Sequence, residues 1–332
     1  MAEASKIPPR GPGSLGLHRF ATVCAAATFV LIFVGGLVTS TGSALAVPDW
    51  PLAFGRLIPQ LEGGVRFEYG HRVAAGVVVI LTLMLAGWIW RAEPRRWVRK
   101  TAYAALALIV VQAILGGITV LLLLPLPVAV AHAATGQALF CVMVAIAVFT
   151  NPRFAADVRT AGAERPALAP LATITTAVIY AQILIGAVMR HLGAGLAIPD
   201  FPLAFGRLIP PFNSVYVGIN FAHRCGAVIV ALFVIWTVVR VMRFYRDETR
   251  MVRPALALIA LLILQVTLGA ITIWSGRAVL PTTAHVAVGA AVLATSLVLT
   301  IRAYAMGGLA AAAEAAKLAG EPDHAMEPKL TA

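Results

Sequence analysis

The chain has 332 residues, of which 60% are hydrophobic and only 12% charged, and its mean hydropathy is +0.89. A soluble core of this length cannot hide that much apolar surface, so lipid must be the solvent for most of the fold. The net charge of +12 does not indicate nucleic acid, because Lys and Arg fall in short clusters between apolar runs and form no patch interleaved with stacking aromatics.

Residues 1–17 are polar and rich in Pro and Gly. The apolar run that follows carries no A-x-A cleavage site at its end and is expected to be a retained helix, not a signal peptide. A bilayer core takes about 20 helical residues to cross, and on that template the sequence predicts eight spans: 18–40, 68–90, 101–123, 128–150, 168–190, 219–241, 254–275 and 281–303. An even number of spans puts both termini on one side. That side holds Lys6, Arg10 and Arg19, the Arg91–Lys100 cluster, Arg153, Arg159 and Arg165, the Arg240–Arg253 cluster, then Arg302, Lys317 and Lys329. The opposite loops keep only Arg56, Arg66, Arg190, Arg207 and Arg277, so the positive-inside rule makes both termini cytoplasmic in a multi-pass protein of the cell (inner) membrane. Cys24, Cys141 and Cys225 lie in apolar runs with no CxxC pair and are expected to be buried, inert thiols.

An internal repeat organises the chain. Residues 44–59 (ALAVPDWPLAFGRLIP) return as residues 195–210 (GLAIPDFPLAFGRLIP), with 13 of 16 positions identical. The offset is 151 from Asp49 to Asp200, 152 from His71 to His223, and 153 from Gln112 to Gln265 and from His132 to His285. The predicted fold is therefore an all-α polytopic membrane protein of eight transmembrane helices, built as two tandem four-helix bundles. Because four spans per copy is even, a pseudo-two-fold along the membrane normal would relate the copies. The expected divisions are a cytoplasmic segment (1–17), the first bundle (18–155), a cytoplasmic linker (156–167), the second bundle (168–303) and a cytoplasmic tail (304–332).

Ionisable groups inside spans are costly and so mark functional sites, and here nearly all of them are histidines. His71 and His132 fall at similar depth near the outer ends of the second and fourth spans, and His223 and His285 repeat this in the sixth and eighth. A single intramembrane histidine is more often a packing residue than a ligand. Four that are paired and duplicated at matching depth instead suit two heme irons, each held between facing helices. Arg72 and Arg224 follow the second-span and sixth-span histidines, where each could meet a porphyrin propionate or snorkel to headgroups. His191 has Ser40 as its counterpart and is not expected to bind iron, while His18 and His324 lie at an interface and in the polar tail. Glu68 precedes His71 by one helical turn, but the equivalent residue before His223 is Asn220. A carboxyl would thus stand on the histidine's face in the first copy only, where it could move a proton or stabilise developing charge. The Pro-Asp-Trp-Pro and Pro-Asp-Phe-Pro loops are expected to fold over the outer ends, with Trp50 and Phe201 as porphyrin contacts and Asp49 and Asp200 as turn formers. Gln112 and Gln265 are expected to serve packing or hydrogen bonding.

Glu68-x-x-His71-Arg72, the Pro-Asp-x-Pro-Leu loops, His132, His223-Arg224 and His285, carried on a duplicated eight-span chain, resemble the heme A synthase family over residues 18–303. The resemblance implies an oxidoreductase that converts the C8 methyl of heme O to a formyl group, giving heme A for terminal oxidases; water adding to a carbon made electrophilic next to the porphyrin is the expected oxygen source. It implies that His71 and His132 ligate the substrate heme O or product heme A beside a catalytic Glu68, and that His223 and His285 ligate heme b. It further implies delivery of heme O by a heme O synthase and a quinone or other electron acceptor, and it leaves homo-oligomerisation open. Two features depart from the family pattern: residues 40–67 contain no cysteine pair, and Thr39 stands where the family usually has the arginine that copy two carries as Arg190. Two other functions fit parts of the pattern. One is a diheme b-type cytochrome that passes electrons without altering its heme. The other is a transporter or heme chaperone, which the scarcity of acidic residues within spans disfavours as a proton-coupled device.

Overall fold

A computed structural model of the chain describes residues 15–152, 154 and 167–320, with 307–320 as backbone only. Eight long helices make up almost all of it: α1 (Leu15–Ser40), α2 (Val65–Ala92), α3 (Arg96–Leu121), α4 (Leu126–Phe149), α5 (Ala169–His191), α6 (Val215–Phe244), α7 (Thr249–Trp274) and α8 (Val279–Gly320). Each contains a stretch long and apolar enough to cross a membrane, that of α8 lying in Val279–Met306. The expected linker over 156–167 falls almost entirely outside the described residues, as do residues 1–14 and 321–332 with His324.

Local chemistry sets the helix ends. The hydroxyls of Thr39, Ser40 and Thr41 bond back to the carbonyls of Gly35, Gly36 and Leu37, and Gly42 at φ 66° then turns the chain out of α1. The third span stops at Leu121 and does not run to 123, because Leu123 and Leu124 take positive φ of 58° and 61°. That conformation costs about 1–2 kcal/mol per non-glycine residue. Gly276 and Arg277 make the same turn at the 153 offset, with φ of 60° and 68°. The seventh span begins earlier than hydropathy suggests and carries Pro254 inside it. Proline cannot donate to the carbonyl of Arg250 one turn back; the guanidinium of Arg302 on α8 donates there instead.

In residues 15–149, α1 packs on α2 and α4, and α3 packs on the same two helices. In residues 169–306, α5 packs on α6 and α8, and α7 packs on those two. Between the halves, α1 meets α8, α4 meets α5 and α4 meets α8, a set that a two-fold exchange of halves would leave unchanged. Polar links sit in this junction: Arg190 of α5 donates to Gly36 O and Ser40 Oγ of α1, each at 2.8 Å, Thr283 of α8 donates to Ser40 Oγ at 2.9 Å, and Tyr180 of α5 donates to Ala134 O of α4 at 3.0 Å. Buried hydroxyls of Thr175 and Thr237 join α5 to α6, and Thr176 with Ser296 and Thr300 joins α5 to α8. In an apolar medium such bonds are worth about 0.6 kcal/mol each. Side chains such as Ile80, Leu83, Leu232 and Ile263 stay exposed on the outer faces, as expected where lipid supplies the apolar surroundings.

The thiols do not behave uniformly. Cys24 is buried as expected, but Cys141 is only half-buried and Cys225 is exposed on α6. An apolar run in a membrane protein can face lipid as readily as the interior, and hydropathy does not separate the two.

Candidate functional site

The four paired histidines occupy equivalent seats, each against a glycine of the preceding helix. A Cβ added at Gly35 would stand 3.1 Å from His71 Cε1, at Gly116 3.4 Å from His132, at Gly186 3.0 Å from His223 and at Gly269 3.1 Å from His285. Where another residue would hold the ring away, glycine lets the imidazole lie against the neighbouring backbone. The ring centroids of His223 and His285 are 6.5 Å apart. A metal-bound imidazole nitrogen lies about 2.0–2.1 Å from the ion and about 1.2 Å in front of its ring centre, so two rings sharing one ion stand about 6.4 Å apart. The Nδ1 of His285 donates to the carbonyl of Gln265 at 3.0 Å, which leaves its Nε2 with the lone pair, although the Gln265 amide nitrogen approaches that atom at 3.3 Å. Among the described residues, no group of three or more His, Cys, Asp or Glu lies together as a metal-ion cage. A heme does not need one, because the porphyrin supplies the remaining ligands, and the donor set of the second pair fits it.

Glu68 is 4% exposed and points into the protein. Its Oε2 accepts from Val47 N–H at 2.9 Å and its Oε1 from Arg72 at 2.6 Å. Arg72 also donates to the carbonyls of Asp49, Leu52 and Val47, so its two Nη atoms hold the first outer loop onto α2. The second half reproduces this clamp without a negative charge. Asn220 donates to the carbonyls of Ala194 and Gly195, and Arg224 donates to Asn220 Oδ1, Leu203 O and Ile198 O. Arg224 thus commits one bond at each nitrogen, where Arg72 commits two at each Nη.

The outer loops are built alike. Asp49 accepts from Phe54 and Gly55 N–H at 2.7 and 2.8 Å, and Asp200 accepts from Phe205 and Gly206 at the same distances, which bears out their role as turn formers. These backbone donors, Gly55 foremost for Asp49 and Gly206 for Asp200, hold both carboxyls below the usual 3.8. Phe54 and Phe205 each take φ 54°, and both loops have a cis peptide before the second proline, at Trp50–Pro51 and Phe201–Pro202. Trp50 lies on α3 so closely that a Cβ at Gly117 would fall 2.9 Å from its indole, next to the Gly116 seat of His132. Phe201 instead meets Trp274 at 6.2 Å and lies under the Arg224 guanidinium at 5.9 Å. His18 bonds Ala147 O at 2.9 Å and serves helix packing.

Gln112 donates to the carbonyl of His132 at 2.9 Å and to Thr135, in line with the hydrogen-bonding role expected of it. Sequence reasoning overlooked Gln182 of α5, whose amide nitrogen lies 3.0 Å from His223 Nδ1 and 2.7 Å from His223 O. The available signal was an amide inside an apolar span, one turn before Gly186, where the first copy has Leu31.

Comparison with known proteins identifies the family. The family model described as "Cytochrome oxidase assembly protein" (COX15-CtaA) matches residues 18–69, 61–144 and 135–298. The chain is 32% identical over 262 residues to the Heme A synthase of Symbiobacterium thermophilum, covering 74% of this chain and 82% of the relative. It is 31% identical over 256 residues to that of Staphylococcus haemolyticus, covering 74% and 83%. Against the Heme A synthase of Listeria monocytogenes it is 30% identical over 260 residues, covering 74% and 82%. With most of its length matched by the family model, by relatives of the same name and by a duplicated histidine framework, the chain belongs to the COX15-CtaA family of cytochrome oxidase assembly proteins.

Proposed function

We propose that the protein is a membrane-embedded heme A synthase, which oxidises the C8 methyl of heme O to a formyl group. The observation that carries this reading is the charge difference between two otherwise equivalent sites, with Glu68 beside the first histidine pair and Asn220 beside the second. In this reading the two halves are tandem four-helix bundles, His71 and His132 ligate substrate heme O, and His223 and His285 hold heme b. When bound, heme b supplies one-electron redox chemistry beside the substrate site.

Converting methyl to formyl takes one water and releases four electrons and four protons, in two successive two-electron stages. The oxygen comes from water, and the electrons pass to a quinone or another acceptor. Glu68 stabilises positive charge developing on the substrate carbon and takes a proton from the water that adds there, with Arg72 as its counter-ion. Through the same carboxylate Arg72 and Val47 keep the outer loop closed, where Trp50, packed on Gly117, would cover the edge of a bound porphyrin and exclude bulk water. Arg224 is the better placed of the two arginines to add a propionate, because it spends fewer donors on its loop.

Both termini face the cytoplasm in this reading, and heme O arrives within the bilayer from a heme O synthase. The test is Glu68→Gln, which keeps an acceptor for Val47 N–H but removes the charge. The variant should bind heme O and heme b at wild-type stoichiometry and make no heme A; a normal heme A yield would refute the role of Glu68. A diheme cytochrome that leaves its heme unaltered would contain heme b alone on extraction.

A further inference from the structure

The two histidine pairs differ in what lies behind their rings. In the second half, His223 Nδ1 is 3.0 Å from the Gln182 amide and His285 Nδ1 is 3.0 Å from Gln265 O. In the first half, the Nδ1 atoms of His71 and His132 are buried without a hydrogen-bond partner among the described residues. The difference at His71 and His223 is a coordinated two-residue change. Gln182 lies against Gly226, whose missing Cβ leaves room for the amide oxygen; an alanine there would collide with it. The first copy carries Leu31 and Ala74 at the two equivalent positions, so neither the hydrogen-bonding group nor the space for it exists.

A histidine that binds metal through Nε2 carries its ring proton on Nδ1, and an acceptor for that proton fixes the ring and makes it a stronger ligand. As placed, the Gln182 amide nitrogen faces Nδ1 and donates to His223 O, while Oε1 is buried with no hydrogen-bond partner among the described residues; half a turn of the amide gives up the bond to His223 O and presents Oε1 to a protonated Nδ1. We infer that Gln182, seated on Gly226, is a positioning residue that makes the second site retain its heme, and that Leu31 and Ala74 leave His71 a loosely held ligand from which substrate and product can exchange. This rests on the proposed assignment of the two pairs as heme ligands and adds the reason one site keeps a cofactor while the other turns over.

Heme transfer from the purified full-length protein to apomyoglobin reads both sites, with the phases assigned by His132→Ala and His285→Ala. Wild type should lose heme in a fast phase from the first site and a slow phase from the second. Gln182→Leu should accelerate the slow phase by about 10-fold to 100-fold, the range seen when partners behind metal-binding histidines are removed. It should also raise the midpoint potential of the second heme. Gly226→Ala should do the same by displacing the amide, Gln182→Glu should shift the potential in the opposite direction, and Leu31→Gln with Ala74→Gly should slow the fast phase. Variants at position 182 with wild-type slow phase and potential would overturn the inference while leaving the ligand assignment intact. Should His223→Ala and His285→Ala retain the second heme, the ligand assignment itself would fail.

Discussion

In the first half a buried carboxylate accepts from Val47 and Arg72, and the histidines beyond it have Nδ1 atoms with no hydrogen-bond partner among the described residues. In the second half a neutral amide takes the place of that carboxylate, and both histidines are backed by hydrogen bonds. The duplicated parts are the loop turns, the arginine clamps and the glycine seats, which in the proposed reading place a planar ligand between two helices. The parts that differ are those expected to decide what happens to it. In the proposed reading, one fold unit supports a reactive site or a retentive one by exchanging a few side chains.

The sharpest way to break this comparison is to remove one ligand at a time. His285→Ala should abolish the second heme's low-spin spectrum and leave the first, and His132→Ala should do the reverse; spectra that change together would contradict two separate sites. Copying the second half into the first comes next. Glu68→Asn should stop heme A production, and by removing one partner of the largely buried pair with Arg72 it should also cost up to about 3–5 kcal/mol, read as a lower thermal midpoint in detergent. Glu68→Gln should lose the activity with a smaller stability change, which separates chemistry from clamping.

A third prediction concerns the loop caps. Gly117→Ala should displace Trp50 and cost about 1–3 kcal/mol. Adding Trp50→Phe, which gives the residue types that the second half carries at the equivalent positions 201 and 270, should restore most of it; an unrescued double variant would show that the two residues do not share a packing site. The smallest effect is acid sensitivity. The carboxyls of Asp49 and Asp200 titrate below the usual 3.8, held down chiefly by Gly55 and Gly206 N–H, so their support is complete above that value and lost as pH falls through the lowered one. Protease cleavage of the outer loops should rise on that acid side, and Asp49→Asn should remove the first loop's share of the dependence.

The spans and the repeat were legible because each rests on many residues: apolar runs of membrane length and a motif with 13 of 16 identities. The histidines and Glu68 stood out as costly groups in apolar surroundings. Helix ends at Leu121 and Thr249 were less visible, since a left-handed Leu123 and a proline whose lost bond is replaced by Arg302 depend on tertiary context. The ion pair of Glu93 with Arg95 was hidden for the same reason. Glu93, within the Arg91–Lys100 cluster, is fully buried and bonded to Arg95 at 2.7 Å where α2 turns into α3. Burial raises its carboxyl and the bonds to Arg95 more than reverse that, leaving it below the usual range. Gln182 was legible in principle, but only by asking which positions of the repeat gain a polar group in one copy.

The most direct test of two histidine pairs holding two different hemes is acid extraction and mass spectrometry of pigments from the purified protein, made in cells that also contain a heme O synthase. Wild type should yield heme b together with heme O or heme A, His132→Ala heme b alone, and His285→Ala heme O without heme b. Wild type yielding only heme b, or both variants losing the same pigment, would contradict the account.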